Sequence, residues 1–298
     1  MTTHTPVLLK ETIEGLNLAN GETVLDATLG GGGHSEALCE RIGESGTFIG
    51  IDADEDAVLR AKEKLASCKA RVILETANFR SLSKVFDAHH ISVIHRAVFD
   101  LGMSSFQLET SARGFSFQQN TPLLMTFAKH VEPEATTAYD ILNLWGEDSI
   151  SAILLAYGEE RFSQKIAHAI VLSRKEKPIK MTDELVAIIG AAVPGWYCNK
   201  RLHYATKTFQ ALRIAVNDEY GALKEGLSQC FLRLAPRGRM AVISFHSGED
   251  RIVKLFFKEQ KSAGTAILVS KKPITPSLEE QQANRRARSA QLRILEKK

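Results

Sequence analysis

The sequence predicts an α/β fold in which a parallel sheet, covered by helices on both faces, is interrupted by a helical insertion. Two observations carry the prediction. From Glu22 to about Leu101, short apolar runs alternate with amphipathic segments, which is the rhythm of parallel strands joined by crossover helices. From about residue 135 to 193 the pattern is helical throughout, and the apolar run RMAVISF then supplies a further strand.

Taken in order, ETVLDATL, GTFIGID, ARVILE and HRAVFDLG read as strands: each is a short run rich in branched or aromatic residues. SEALCERIG, EDAVLRAKEKLA and RSLSKVFDAHH lie between them with apolar residues at helical spacing. A polar, glycine-containing stretch from Ser104 to Pro122 breaks the alternation. AYDILNLW, DSISAILLAYG, ERFSQKIAHAIVLSR and TDELVAIIGAAV then read as helices, the last ended by Pro194 and Gly195. ATKTFQALRIAVNDEYGALKEGLSQCFLRL reads as one long helix stopping at Pro236 and Gly238, RMAVISF as a buried strand and DRIVKLFFKEQ as a helix. The domain divisions expected are 1–105 for the first part of the sheet domain, 106–215 for the inserted helical domain, and 216–298 for the second part with a basic tail.

Composition narrows the function. With 298 residues, 44% of them apolar, the chain can bury a large core. No apolar run approaches the roughly 18 residues of a membrane span, and MTTHTPVLLKETIEGL lacks the basic start and apolar run of a leader. A cytoplasmic protein without a membrane partner is expected. Four cysteines form no CxxC pair, so reduced thiols are expected. The net charge of +3 is unevenly spread: eight basic residues against three acids from Lys271 onward leave the preceding chain slightly acidic. A localised basic tail fits contact with a polyanion.

The stretch LDATLGGGGHSE carries the chemistry. Gly30 to Gly33 stand where the first strand turns into its helix, the place at which open parallel sheets bind ligands. Asp52, at the end of GTFIGID, is placed to accept hydrogen bonds from two ribose hydroxyls. Asp26 sits at the first strand's end, where its charge would oppose a pyrophosphate. It suits the ammonium and sulfonium of S-adenosylmethionine, which is favoured over NAD. Phe79, after ARVILE, could stack on an adenine, with core packing as the competing role. Asp100 ends RAVFDLG, and a carboxylate there is costly to bury without a partner.

HTPVLLKE, LDATLGGGGHSEA, FIGIDAD, FDLGMSSFQLE, RGFSF, YGEERFSQKIAHAIV, TKTFQALRIAVNDE, ISFHSGEDRIVK and RARSAQLR resemble, in order, motifs of the 16S rRNA (cytosine(1402)-N(4))-methyltransferase family. The resemblance covers nearly the whole chain. It implies a Rossmann-like S-adenosylmethionine-dependent methyltransferase fold with an inserted α-helical domain for substrate recognition. The implied acceptor is the N4 of a decoding-centre cytidine within the small ribosomal subunit. The family's cofactor residues fall on Gly32, Gly33, His34, Asp52, Phe79, Asp100 and Gln107. The chain departs from the family's motifs at Leu124 and Thr126, in place of an acid and an arginine, and at Tyr204, Lys207 and Gly248, the last in place of leucine.

The amine of cytosine is a poor nucleophile until its lone pair leaves the ring, so acceptors near N4 favour attack. Asp100, with backbone carbonyls or the hydroxyls of Ser104 and Ser105, is expected to orient it. His246, in ISFHSGED, contacts the base or fixes a strand-to-helix turn, two readings the sequence leaves open. None of the nine histidines forms a metal spacing, so no metal is expected. Candidate phosphate contacts are Lys200, Arg201, His203 and Lys207, and in the tail Arg285, Arg286, Arg288 and Arg293. The target nucleotide must be unpaired or flipped out. Competing readings are a DNA or small-molecule N-methyltransferase and a ribosome-assembly factor with weakened catalysis; a homodimer is compatible with the sequence.

Overall fold

The computed structural model describes residues 6–109 and 111–298. The chain forms two compact units, one of Met1–Ser104 with Tyr220–Lys298 and the other of Ser105–Glu219.

The first unit is built on strands β1 (Thr23–Asp26), β2 (Thr47–Asp52), β3 (Arg71–Thr76), β4 (Ile94–Asp100), β5 (Leu234–Ser244), β6 (Ala266–Leu268) and β7 (Gln291–Lys297). Among the described residues they form one sheet in the order β3-β2-β1-β4-β5-β7-β6. The first five are mutually parallel, and β7 runs antiparallel to both β5 and β6. The order reverses between β1 and β4, which opens a crevice at the carboxyl ends of those strands. This is a Rossmann-like α/β fold with an antiparallel strand inserted near one edge.

The central strands are apolar on both faces because helices cover both. Leu25, Ile49, Phe99 and Val242 pack on one side against Leu82 and Phe86 of α4 (Leu82–Ala88), Leu223 and Leu227 of α12 (Glu219–Arg233), and Val253 and Phe257 of α13 (Ser247–Ser262). Val24, Phe48, Val98 and Ile243 face the other side, with Leu16 of α1 (Leu9–Leu16), Leu38 and Ile42 of α2 (Gly33–Ile42), and Ala61 of α3 (Glu55–Lys64). Neighbours along each strand thus alternate between two cores. Helix α14 (Leu278–Ala283) and a 3-10 turn, Arg285–Ser289, precede β7.

The second unit is helical: α5 (Ser105–Glu109), α6 (Ala138–Leu144), α7 (Glu147–Gly158), α8 (Ser163–Glu176), α9 (Thr182–Ala192), α10 (Gly195–Cys198) and α11 (Thr206–Asn217). Its core includes Ile141, Leu154, Ile166, Ile170, Leu185, Ile189 and Leu212, all fully buried.

Two expectations need correction. The long helix read from Ala205 onward is broken at Asp218, which takes a left-handed conformation at φ 44° and caps α11 through its backbone N–H. Aspartate tolerates this conformation better than most residues. Strand β5 also begins at Leu234, before Pro236, where its pairing with β4 shifts register between Ile94 and Arg96; an irregular stretch accommodates proline. No helix among the described residues is long and apolar enough to cross a membrane.

Candidate active site

The carboxyl ends of β1, β2 and β4 converge on the glycine loop. Asp26, the last residue of β1, is buried to 1% exposure. One carboxylate oxygen accepts the Thr28 N–H at 3.1 Å and the other the Ser35 hydroxyl at 2.6 Å. Burial pushes its carboxyl above the ordinary value, against the Ser35 hydrogen bond and the charge of His34. The sequence placed Asp26 against a ligand's ammonium; instead it is 1% exposed and braces the loop through Thr28 and Ser35.

The glycines divide by task. Gly30 (φ 49°) has nothing nearer than 3.8 Å to where a Cβ would stand, so its face is open. A Cβ on Gly32 (φ 70°) would lie 3.1 Å from the Lys64 side chain, and one on Gly33 only 2.2 Å from Pro6. Those two are glycine because the protein packs against them. Gly32 is also the left-handed N-cap of α2, whose first amides lack intrahelical partners and face a would-be ligand.

Asp52 closes the loop from the neighbouring strand. Its oxygens accept the N–H groups of Gly30 and Asp54, each at 2.9 Å. Burial pushes its carboxyl up to about 6, while these two N–H groups pull the other way. Lone pairs remain on both oxygens for hydroxyl donors.

Asp100, at the end of β4, is fixed by its N–H on the Thr28 hydroxyl at 2.7 Å. His34 Nδ1 lies 3.5 Å from its Oδ2, and His34 Nε2 lies 3.1 Å from the Val7 carbonyl. A carbonyl only accepts, so Nε2 donates; an imidazolium then satisfies Nδ1 as well. Burial lowers the His34 value, but the Asp100 hydrogen bond, the charges of Asp100 and Asp26 and the Val7 carbonyl outweigh it and leave it raised. Asp100 Oδ1 is buried and has no hydrogen-bond partner among the described residues. An orphan acceptor of this kind costs about 1–3 kcal/mol until a donor arrives.

Phe79 opens a short 3-10 turn after β3 and meets Phe99 edge-on, with centroids 5.9 Å apart. Gly226 lets α12 approach it, since a Cβ there would stand 2.9 Å from its ring.

Residues 1–298 match the model of the MraW methylase family. The chain belongs to the MraW methylase family. It is 41% identical over 309 aligned residues to the ribosomal RNA small subunit methyltransferase H of Brevibacillus brevis, covering 99% of this chain and 98% of that one. It is 44% identical over 296 residues to the protein of the same name from Dictyoglomus thermophilum, covering 99% and 97%. Among solved structures, an rRNA methylase from Streptococcus thermophilus aligns with a TM-score of 0.46 at 13% identity, over 100% of this chain and 99% of that one. The chain is a methylase dependent on S-adenosylmethionine.

Gln107 lies buried in α5 of the second unit, and Ser104 is the last residue of the first. The Ser105 side chain lies outside the described residues. His246 is the N-cap of α13: Nδ1 accepts the Glu249 N–H at 3.4 Å, and Glu249 accepts the His246 N–H in return at 3.3 Å. Its Nε2 is buried 3.2 Å from Glu249 Oε1. The ring thus caps the strand-to-helix turn.

Several of the expected phosphate contacts are already engaged. Arg293, in β7, makes a two-pronged pair with Asp250 at 2.7 and 3.0 Å. Lys207 caps the end of α7 through the Glu159 carbonyl at 2.7 Å. His203 is stacked between Phe117 and Tyr204, with centroids 4.4 and 4.2 Å away, and burial lowers its pKa, so it favours the neutral form. Lys200, Arg201, Arg285 and Arg288 are exposed, and Arg286 is half-buried. The sequence missed Thr28 and Ser35, although a threonine two residues after Asp26 is the pattern of a side-chain turn. Among the described residues no group of three or more His, Cys, Asp or Glu side chains is arranged to hold a metal.

Proposed function

We propose that the chain methylates the exocyclic N4 of a single cytidine in the decoding centre of 16S ribosomal RNA, acting on the small ribosomal subunit in the cytoplasm. Two relatives at 41% and 44% identity carry a name specifying small-subunit ribosomal RNA, and the motif resemblance supplies cytosine N4. The observation that carries the reading is Asp100, whose Oδ1 is a buried acceptor beside the glycine loop, unpartnered among the described residues.

The residues present fit S-adenosylmethionine. Asp52 would hold the ribose hydroxyls, the open face of Gly30 and the amides of α2 would border the amino-acid portion, and Phe79 would cover the adenine. When bound, S-adenosylmethionine supplies an electrophilic methyl group on a sulfonium. Asp100 Oδ2 is held by His34, which leaves Oδ1 to accept an N–H of the target amine and turn its lone pair out of the ring. Most of the acceleration then comes from alignment and fixed charge, for which well-oriented reactants gain on the order of 7 kcal/mol. The methylated amine is acidic enough to lose its proton to water, so Asp100 need only orient.

The test replaces Asp100 with Ala and measures cofactor binding and methyl transfer separately, using labelled methyl donor and small subunits from cells lacking the gene. Label in one cytidine, with transfer lost in the Asp100→Ala enzyme, is the expected result. Unimpaired transfer by Asp100→Ala sinks the role of Asp100. Label only in DNA or metabolites, or in nothing, gives the substrate assignment up in favour of a different methylase or an assembly factor.

A further inference from the structure

The second unit carries a cluster of aromatic and basic side chains that the methyl-transfer reading does not use. Phe162, Trp196 and Tyr197 meet edge to face: 162 to 196 at 6.0 Å, 162 to 197 at 5.0 Å, and 196 to 197 at 5.8 Å between centroids. A fully buried carboxylate sets this arrangement. Glu160 accepts the Tyr197 hydroxyl at 2.8 Å through one oxygen and the Phe162 N–H at 2.9 Å through the other. Tyr197 is thereby buried to 6%, whereas Trp196 beside it stays 51% exposed. An indole is held outward on a rigid base.

Cations surround it. The Arg161 guanidinium lies 5.0 Å from the Phe162 centroid and 5.3 Å from that of Trp196. Lys200 Nζ lies 5.0 Å from Trp196 and 5.2 Å from Tyr197, and Lys165 Nζ lies 5.9 Å from Phe162. None of the three pairs with a carboxylate among the described residues. An exposed ring ringed by unneutralised positive charge is a poor match for an apolar protein surface. It matches a ligand with flat faces and negative charge, in which bases stack on indole and guanidinium planes while lysines meet the phosphates.

We propose that Trp196, with Arg161, Lys165 and Lys200, binds an unpaired stretch of RNA flanking the target nucleotide. The proposal rests on the ribosomal-RNA reading above and adds a second contact to it.

Trp145 and Trp196 are the only tryptophans in the sequence, so a Trp145→Phe background leaves Trp196 as the sole indole emitter. Titration with a single-stranded oligonucleotide of decoding-region sequence should quench its emission. In the wild-type background, Trp196→Ala should weaken oligonucleotide binding by about 5- to 100-fold, the value of one stacked base. The double variant Arg161→Gln/Lys200→Gln, which keeps every ring, should lower the slope of log affinity against log salt by about 0.7 per cation removed. Binding of S-adenosylmethionine should not change in either variant, and in methylation assays KM for RNA should rise while kcat holds.

An oligonucleotide that leaves Trp196 emission and the salt slope unaltered overturns the proposal, whether or not the enzyme transfers methyl. Quenching by whole small subunits but not by their naked RNA assigns the patch to a ribosomal protein and also overturns it. Quenching without any methyl transfer to RNA instead overturns the substrate reading and leaves the RNA contact standing.

Discussion

Gly248 carries a prediction whose sign depends on one neighbour. In helix α13 its backbone is not in the left-handed region, so conformation alone would admit any residue. Space does not: a Cβ there would lie 1.8 Å from the Tyr220 hydroxyl, 2.6 Å from its Cζ and 3.3 Å from His246 Nδ1. The phenol of Tyr220 therefore occupies the volume that a side chain at 248, such as the leucine of the resembling motif, would fill. In Gly248→Ala the phenol, the far end of a side chain, is the group expected to give; it faces the His246 ring at 6.1 Å. Forced repacking of this size costs about 1–3 kcal/mol, offset by roughly 0.5–1 kcal/mol from the better helix former. The net loss of about 0–2.5 kcal/mol lowers the apparent Tm by up to roughly 10 °C. In a Tyr220→Ala background the clash is gone and the same substitution should raise the Tm. Thermal unfolding of the four proteins, followed by circular dichroism, gives a coupling of about 1–3 kcal/mol. A Gly248→Ala substitution that changes stability by the same amount with Tyr220 present and with it removed would refute the reasoning.

Asp52 has a folded pKa of about 6, above its ordinary 3.8, so the folded chain binds the proton more tightly than the unfolded one. Its contribution to stability is full below about pH 4 and is lost as pH rises to 6. Melting curves of the ligand-free protein should therefore differ between wild type and Asp52→Asn in slope over that window and run parallel above it. Affinity for S-adenosylmethionine should fall as pH drops through about 6, measured by equilibrium dialysis, and a flat profile would remove Asp52 from the ribose. His34 is also raised above its ordinary value, so its stabilising charge is present below about pH 6.5 and lost at higher pH; His34→Leu should flatten that part of the stability profile. Arg293→Met leaves Asp250 without its partner in a mostly buried place. A cost of about 3 kcal/mol should lower the Tm by roughly 5–10 °C, with most of it recovered in Arg293→Met/Asp250→Asn and no change in the salt slope of RNA binding.

The parallel half of the sheet was legible because periodicity and crossover spacing both reported it. Strand β7 was not. QLRILEK carries three charges in seven residues, and a reader weighing charge sees a solvated tail; only pairing with β5 and β6 shows that Leu292, Ile294 and Leu295 are core. The same blindness explains Lys207, His203 and Arg293. Charge and type are visible in a sequence, whereas the carbonyl, the ring stack or the carboxylate that engages them comes from residues far along the chain. The cluster at Trp196 was hidden for the same reason: Arg161 and Lys200 lie 39 positions apart in the sequence.

Asp52 and Asp100 were legible because a strand's last residue in this topology has one place to be. Asp26 was legible as a charge but not as a direction, and the difference alters the argument for the ligand without reversing it. Asp26 is 1% exposed, so any effect on a ligand would come through its field rather than through contact. Asp26, Asp52 and Asp100 outnumber the basic His34, whose Nδ1 lies 3.5 Å from Asp100 Oδ2. Bringing in a pyrophosphate would add like charge to groups that burial already penalises, as the raised values of Asp26 and Asp52 show. A ligand carrying an ammonium and a sulfonium lowers both penalties. Its binding should therefore draw the Asp52 carboxyl back below 6 and release a proton on mixing near that pH.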